Sequence, residues 1–260
     1  MARARVYGTE LICIKRMDYA EADRIITALT PDHGKVRLLA KGVRKSTSRM
    51  AGHLELFSHA HAILARGRDL DIVTQATTVE PFRGIREDLV AISYAYHFGE
   101  LVDAFLPDGD EHRSVFALLR DVLEVLDAHT ITPALAARQF ELHFLDALGF
   151  RPQLTTCLVC KTPIEPDTNG FSAALGGVLC ANCMRREPSA APIRVETLKL
   201  LRYLQRLSRV HLATIRVPDM VLQDAERILR RQLEFVLERR LRAAEFVRHV
   251  AEATAVYAGG

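Results

Sequence analysis

The chain has 260 residues, 49% of them hydrophobic and 26% charged, with 35 basic and 32 acidic side chains for a net charge of +3. This excludes a disordered or fibrous chain, because there is enough apolar surface to bury. No apolar run approaches the ~20 residues needed to cross a bilayer. The small total is unevenly distributed: residues 1–80 hold 13 basic and 9 acidic residues, 81–150 hold 5 and 12, and 151–260 hold 17 and 11. Such swings suggest modules with different surfaces.

The first 80 residues read as β-structure. Val6–Arg16 and Arg24–Thr30 are extended apolar stretches, and Thr30-Pro31-Asp32-His33-Gly34 supplies turn chemistry between the second and third strands. A third strand follows at Lys35–Ala40, then two more near Phe57–Ala65 and Leu70–Glu80, joined at Arg66-Gly67-Arg68-Asp69. Five short strands in so little chain fit a closed barrel of the oligonucleotide-binding (OB) type, since an open sheet would leave unpaired edges. Alternation predicts Val36, Leu38 and Ala40 inside, with Lys35, Arg37, Leu39 and Lys41 outside. Residues 33–50 carry Lys35, Arg37, Lys41, Arg44, Lys45 and Arg49 and no acid after Asp32. These six are the candidate phosphate-binding set, and Tyr7, Tyr19 and Phe57 are the rings available for stacking.

From Arg83 the period becomes helical. Apolar residues predict helices over Leu89–Val102, Val115–Leu126, Pro133–Gly149 and 195–208, then a long one from Pro218 to Leu241. The far face of the long helix carries Arg227, Arg230, Arg231, Arg239, Arg240 and Arg242. The expected organisation is an α+β multidomain chain: a barrel at 1–80, a helical domain from 81–150 and 193–260, and an inserted segment at 151–192.

That segment holds Cys157-Leu158-Val159-Cys160 and, after 19 residues, Cys180-Ala181-Asn182-Cys183. Two matched Cys-x-x-Cys knuckles have the spacing of a tetrahedral zinc ribbon. Four thiolates leave no open coordination position, so one structural zinc per chain is expected. The N-terminus does not read as a signal peptide, so a reducing compartment is expected, which argues against disulfides. The fifth cysteine, Cys13, reads as a small buried hydrophobe. Asp18, Glu21 and Asp23 could serve a metal-dependent nuclease, but a loop with solvated or capping acids is the better reading. No nucleophile–base–orienter set stands out.

The order of these features resembles the bacterial RecO family of recombination mediators. The resemblance is carried by Asp18-Tyr19-Ala20-Glu21-Ala22-Asp23-Arg24, Thr30-Pro31-Asp32-His33-Gly34-Lys35, Ala40-Lys41-Gly42-Val43-Arg44-Lys45-Ser46, Phe140-Glu141-Leu142, Leu148-Gly149-Phe150-Arg151-Pro152 and Gly176-Gly177-Val178-Leu179-Cys180 with Cys183. It implies a non-enzymatic DNA repair protein that binds single- and double-stranded DNA and anneals complementary strands. It also implies action with RecR and with the tail of the single-stranded DNA-binding protein (SSB), and help in loading RecA. The expected location is the bacterial cytoplasm, at the nucleoid, with no membrane partner. The resemblance makes the barrel the DNA surface. It makes Arg138 and Phe140, or the Arg-rich long helix, the dock for an acidic, Phe-ended tail. The alternatives are a metal-dependent nuclease and a DNA-processing adaptor.

Overall fold

A computed structural model describes residues 5–207 and 215–258. Ser208, the last residue of the helix expected over 195–208, lies outside the described residues, as do the first four of the N-terminus. The chain forms two compact units, one of residues through Ala128 with those from Phe246 on, the other of His129–Glu245. Both differ from the expected segments, because the helices that follow the barrel cluster with it.

In the first unit, strands β1 (Val6–Tyr19), β2 (Asp23–Thr30), β3 (Gly34–Ala40), β4 (His59–Ala65) and β5 (Asp71–Glu80) close into a barrel of order β1-β2-β3-β5-β4. This is the five-stranded OB-type barrel that the sequence predicts. The long β1 makes closure possible. Its first half pairs β4 from Val6↔Ala65 to Ile12↔His59, and its second half pairs β2 from Ile12↔Leu29 to Tyr19↔Asp23. A register shift between Cys13 and Lys15 bends the strand at the crossing. β3 and β5 then meet in parallel, at Leu38↔Asp71 and Leu39↔Ile72.

Leu11, Cys13, Ile26, Leu38, Leu64 and Val73 fill the interior, with Ala28, Ala40, Ala60 and Ala62 where the barrel is narrow. Each large side chain buried here contributes about 1.5–3 kcal/mol. Burial drives the Cys13 thiol up to about 12, so it behaves as the inert hydrophobe expected.

Helices α1 (Arg83–Glu87), α2 (Leu89–Phe105) and α3 (Arg113–Asp127) follow. Asp88 caps α2, its carboxylate accepting from the N–H groups of Val90 and Ala91 at 2.7 and 3.2 Å. α2 packs on β1 and α3 touches β2, which explains why Ile12, Ile25 and Leu29 are buried although they are not among the residues filling the barrel. Phe57, expected to open the fourth strand, instead adopts a left-handed conformation (φ 62°) ahead of it and is fully buried beside Gly99 of α2.

The second unit contains α4 (Pro133–Ala147), α6 (Val195–Arg206) and α7 (Asp219–Leu237), which pack on one another. Between α4 and α6 lie a sheet of order β7-β6-β8, built from β6 (Asn169–Ser172), β7 (Gly177–Leu179) and β8 (Ala190–Ile193), and the single turn α5 (Ala181–Met184). The single long helix expected from Pro218 to Leu241 is corrected. Glu238 takes a left-handed conformation (φ 56°) that ends α7, and α8 (Arg242–Ala258) begins anew. The Leu241 N–H at the start of the new segment donates to Glu234 Oε1 at 3.3 Å. The arginines expected on one face are therefore divided, and Arg227 is occupied by Asp224 and the Pro192 carbonyl. Among the described residues no helix is long and apolar enough to cross a membrane.

Candidate nucleic-acid interface and metal centre

The basic segment after β3 is a structured loop. Its Gly42 N–H donates to Asp23 Oδ1 at 2.7 Å and its Arg44 N–H to the Ala22 carbonyl at 2.9 Å, which fastens it to the β1–β2 turn. Internal turns at Lys45 N–H→Gly42 O and Ser48 N–H→Lys45 O hold its shape, and Val43 is buried in the barrel core. Arg37, Lys41, Arg44, Lys45 and Arg49 are left exposed. Of the three rings singled out, only Tyr19 presents a face, being half exposed beside Met17 at the end of β1. Tyr7 donates to Asp71 Oδ2 at 2.6 Å with the Arg66 guanidinium over its ring, and Phe57 is in the core.

Lys35 does not belong to this surface. Its outward direction is as expected, but the C-terminal end of α2 and the following loop cover it. Its ammonium donates to the Asp103 carbonyl at 2.7 Å and lies 3.3 Å from both the Asp103 and Asp108 carboxylates. Gly34 permits that cover, since a Cβ there would lie 1.8 Å from the Asp110 carbonyl oxygen. Burial alone would raise the Asp103 pKa, yet Lys15 and Lys35 together hold it below the ordinary carboxylate value. This depressed group stabilises the fold above its unfolded pKa of about 4, and the contribution is lost as pH falls through the lower folded value.

Lys35→Met should therefore destabilise the protein by about 1–2 kcal/mol near neutral pH, with less difference in acid, as read by urea unfolding. DNA affinity should change less than about twofold, since no phosphate contact is lost. A loss of affinity without a loss of stability would return Lys35 to the interface.

Sequence reasoning missed Arg24. It pairs with Asp18 across β1–β2 and with Ala40 across β2–β3, and its Nε donates to Asp18 Oδ1 at 2.9 Å. Asp18 Oδ2 also lies 3.4 Å from Arg44 Nε, and the Arg24 hydrogen bond, then Arg44, lowers the Asp18 pKa. Two of the three carboxylates considered for a nuclease are thus taken, Asp18 by arginines and Asp23 by the loop backbone, while Glu21 is exposed. Among the described residues, the one group of three or more potential metal-ligating side chains is elsewhere.

That group is Cys157, Cys160, Cys180 and Cys183, whose Sγ atoms all lie within 4.8 Å of one another. Cys160 and Cys180 Sγ are 3.8 Å apart, too far for a disulfide. That separation is about the edge of a tetrahedron with ~2.3 Å metal–sulfur bonds. Burial opposes charge on Cys157, but hydrogen bonds from the backbone of Cys180, Cys160 and Val159 outweigh it and lower its pKa. The Thr162 side chain and backbone pull Cys160 down to about 6, whereas desolvation and the neighbouring thiols push Cys183 up to about 12. Four thiolates this close repel one another, and a cation among them offsets the repulsion. The donor set therefore fits a four-coordinate metal ion.

The Gly176-Gly177 pair ahead of the second knuckle has a geometric role. Gly176 has φ 76°, and a Cβ on Gly177 would lie 2.4 Å from the Gln153 carbonyl oxygen. Gln153 N–H donates to Gly176 O at 3.0 Å and Val178 N–H to Gln153 O at 2.9 Å. This close approach brings the segment leading to Cys157 beside β7, which leads to Cys180.

Arg138 and Phe140 do not form an open pocket. Arg138 is buried, its Nη2 bonded to Glu141 at 2.7 Å and its Nη1 3.8 Å from Glu226. Phe140 is 1% exposed and stacks on Phe144 at 5.5 Å between ring centres. The expectation of a tail-binding site here is corrected: an ion pair and a ring stack occupy the groups that would receive the ligand.

Residues 4–82 match the family described as Recombination protein O N terminal, and residues 86–245 match Recombination protein O C terminal. A "DNA repair protein RecO" from Roseiflexus sp. (strain RS-1) is 42% identical over 250 residues, covering 96% of this chain and 88% of its own. A protein of the same description from Dehalococcoides mccartyi (strain ATCC BAA-2266 / KCTC 15142 / 195) is 35% identical over 243 residues, covering 94% and 95%. Another, from Symbiobacterium thermophilum, is 35% identical over 246 residues, covering 93% and 96%.

Proposed function

The chain belongs to the RecO family of DNA repair proteins, and from that membership we propose that it is a non-enzymatic recombination mediator that binds DNA through its barrel. The observation that carries this reading is the exposed basic array, Arg37 on β3 with Lys41, Arg44, Lys45 and Arg49 on the fastened loop that follows, together with the half-exposed Tyr19 at the end of β1. A preformed array of cations meets a phosphate backbone without first paying to order itself. Base edges play little part in such contacts, so both single- and double-stranded DNA are ligands and sequence matters little. A protein that neutralises two strands without reading them can bring complements together, which is the basis for annealing.

Work with RecR, contact with the SSB tail and help in RecA loading at the nucleoid rest on family membership. With Arg138 and Phe140 buried, no residue is assigned to the tail. The four cysteines are proposed to hold one zinc ion, which tetrahedral thiolate ligation suits. Its role is to fold the segment.

The test is fluorescence anisotropy with oligonucleotides of unrelated sequence, followed by annealing of complementary strands without nucleotide. Similar affinities for all sequences are expected, together with faster annealing than in buffer. Absence of binding at low salt would overturn the reading.

A further inference from the structure

The acidic motif Asp18-Tyr19-Ala20-Glu21-Ala22-Asp23-Arg24 is at odds with its surroundings. Three carboxylates stand beside a surface that, on the proposed function, receives phosphates, and each should weaken binding by repulsion. Two of them are engaged in a specific way. Asp23 Oδ1 accepts the Gly42 N–H at 2.7 Å, and the same turn accepts the Arg44 N–H through the Ala22 carbonyl at 2.9 Å. Asp18 receives Arg24 Nε on one oxygen at 2.9 Å and lies 3.4 Å from Arg44 Nε with the other. Arg44 Nη1 also reaches the Glu21 carbonyl at 3.5 Å. The third acid, Glu21, is exposed and offers the loop its carbonyl.

We infer that the β1–β2 turn is a latch: Asp23 and Asp18 are positioning residues for DNA binding, holding the basic loop and the Arg24–Arg44 pair in the arrangement that meets phosphate. This rests on the barrel's being the DNA surface. Asp23 fixes where the loop leaves β3, because its partner is the backbone of the second residue beyond that strand. Asp18 aligns two guanidinium groups that would otherwise repel and diverge. The carboxylates weaken long-range attraction but remove the need to order the loop on binding, and ordering is the larger cost for several long cationic side chains. Arg24 joins the phosphate-binding set as a consequence.

Repulsion and positioning predict opposite signs. Asp23→Ala and Asp23→Asn remove the same charge, but the Asn Oδ1 can still accept the Gly42 N–H. Their difference therefore reads the hydrogen bond alone. On the latch account, Asp23→Ala binds a single-stranded oligonucleotide on the order of tenfold more weakly than Asp23→Asn, and Asp23→Asn binds at least as tightly as the unchanged protein. The Ala and Asn variants at Asp18 form a second such pair, with the same order of affinities expected.

Hydrogen exchange at the Gly42 and Arg44 amides, measured without DNA, should quicken in Asp23→Ala and stay slow in Asp23→Asn. Equal tightening by Ala and Asn at both positions would mean that the acids merely repel, and would overturn the proposal. So would unchanged amide exchange in Asp23→Ala. If the unchanged protein binds no oligonucleotide, the DNA reading fails on its own, while the amide exchange still decides whether the latch exists.

Discussion

Serine at both Cys157 and Cys180 should abolish metal binding and unfold the segment between α4 and α6. Together the two changes remove one thiolate from each knuckle, and the two remaining ligands cannot complete a tetrahedral site. The effect should be large because this segment has little else to hold it. Its strands are three or four residues long, its one helix is a single turn, and buried apolar side chains such as Leu154, Ile164, Phe171 and Val178 are few. Structural zinc contributes about 10–16 kcal/mol in small domains at neutral pH, which exceeds what such a core can supply.

Elemental analysis of the reduced protein should give about one zinc per chain, and none in the double variant. Protease sensitivity should rise within 153–193 while the barrel stays intact. DNA affinity should change little if the metal is structural. A metal-free protein with an equally resistant segment would show that the cysteines serve another purpose.

The second large effect is expected at the barrel. Replacing Arg37, Lys41, Arg44, Lys45 and Arg49 together by Gln should remove most DNA binding. Each phosphate contact releases about 0.7 counterion from a single strand, worth about 1 kcal/mol at ~0.1 M salt. Five contacts then correspond to a loss on the order of a thousandfold. The fold should survive, because these side chains are exposed and surface changes of this kind alter stability by about 0.5 kcal/mol or less each. Lys35→Met, one change of charge on the same strand, should do the reverse: it should lower stability and leave binding alone. The contrast separates a cation that faces solvent from one that faces two aspartates.

Much of the fold and site is legible in the sequence where the signal is local. Alternation in Lys35–Ala40 places Val36, Leu38 and Ala40 inward, because a strand has only two faces. The two Cys-x-x-Cys pairs announce their site because each knuckle fixes its own geometry within four residues. Lys35 misleads for a nonlocal reason. Its face is outward, but what covers that face comes from Asp103 and Asp108, about 70 residues away.

Arg138 carries a partial warning, since Glu141 is three residues on and shares its helix face. The second partner, Glu226, comes from α7, and no spacing rule connects the two. The end of α7 at Glu238 has no signal either. Neither glycine nor proline marks it, and glutamate has no local preference for the left-handed conformation that Glu238 adopts. Arg24 escapes notice because a cation at the start of an apolar strand looks ordinary until the β1–β2 register sets it against Asp18.

On the proposed function, the basic loop after β3 is where this protein meets DNA. The salt dependence of oligonucleotide binding tests it most directly, measured for the unchanged protein and for the five-site variant. The slope of log affinity against log salt should be about −3 to −4 or steeper for the unchanged protein, and should become shallower by about that amount in the variant. Equal slopes for both, with the variant folded, would contradict it and move the DNA to another face of the molecule.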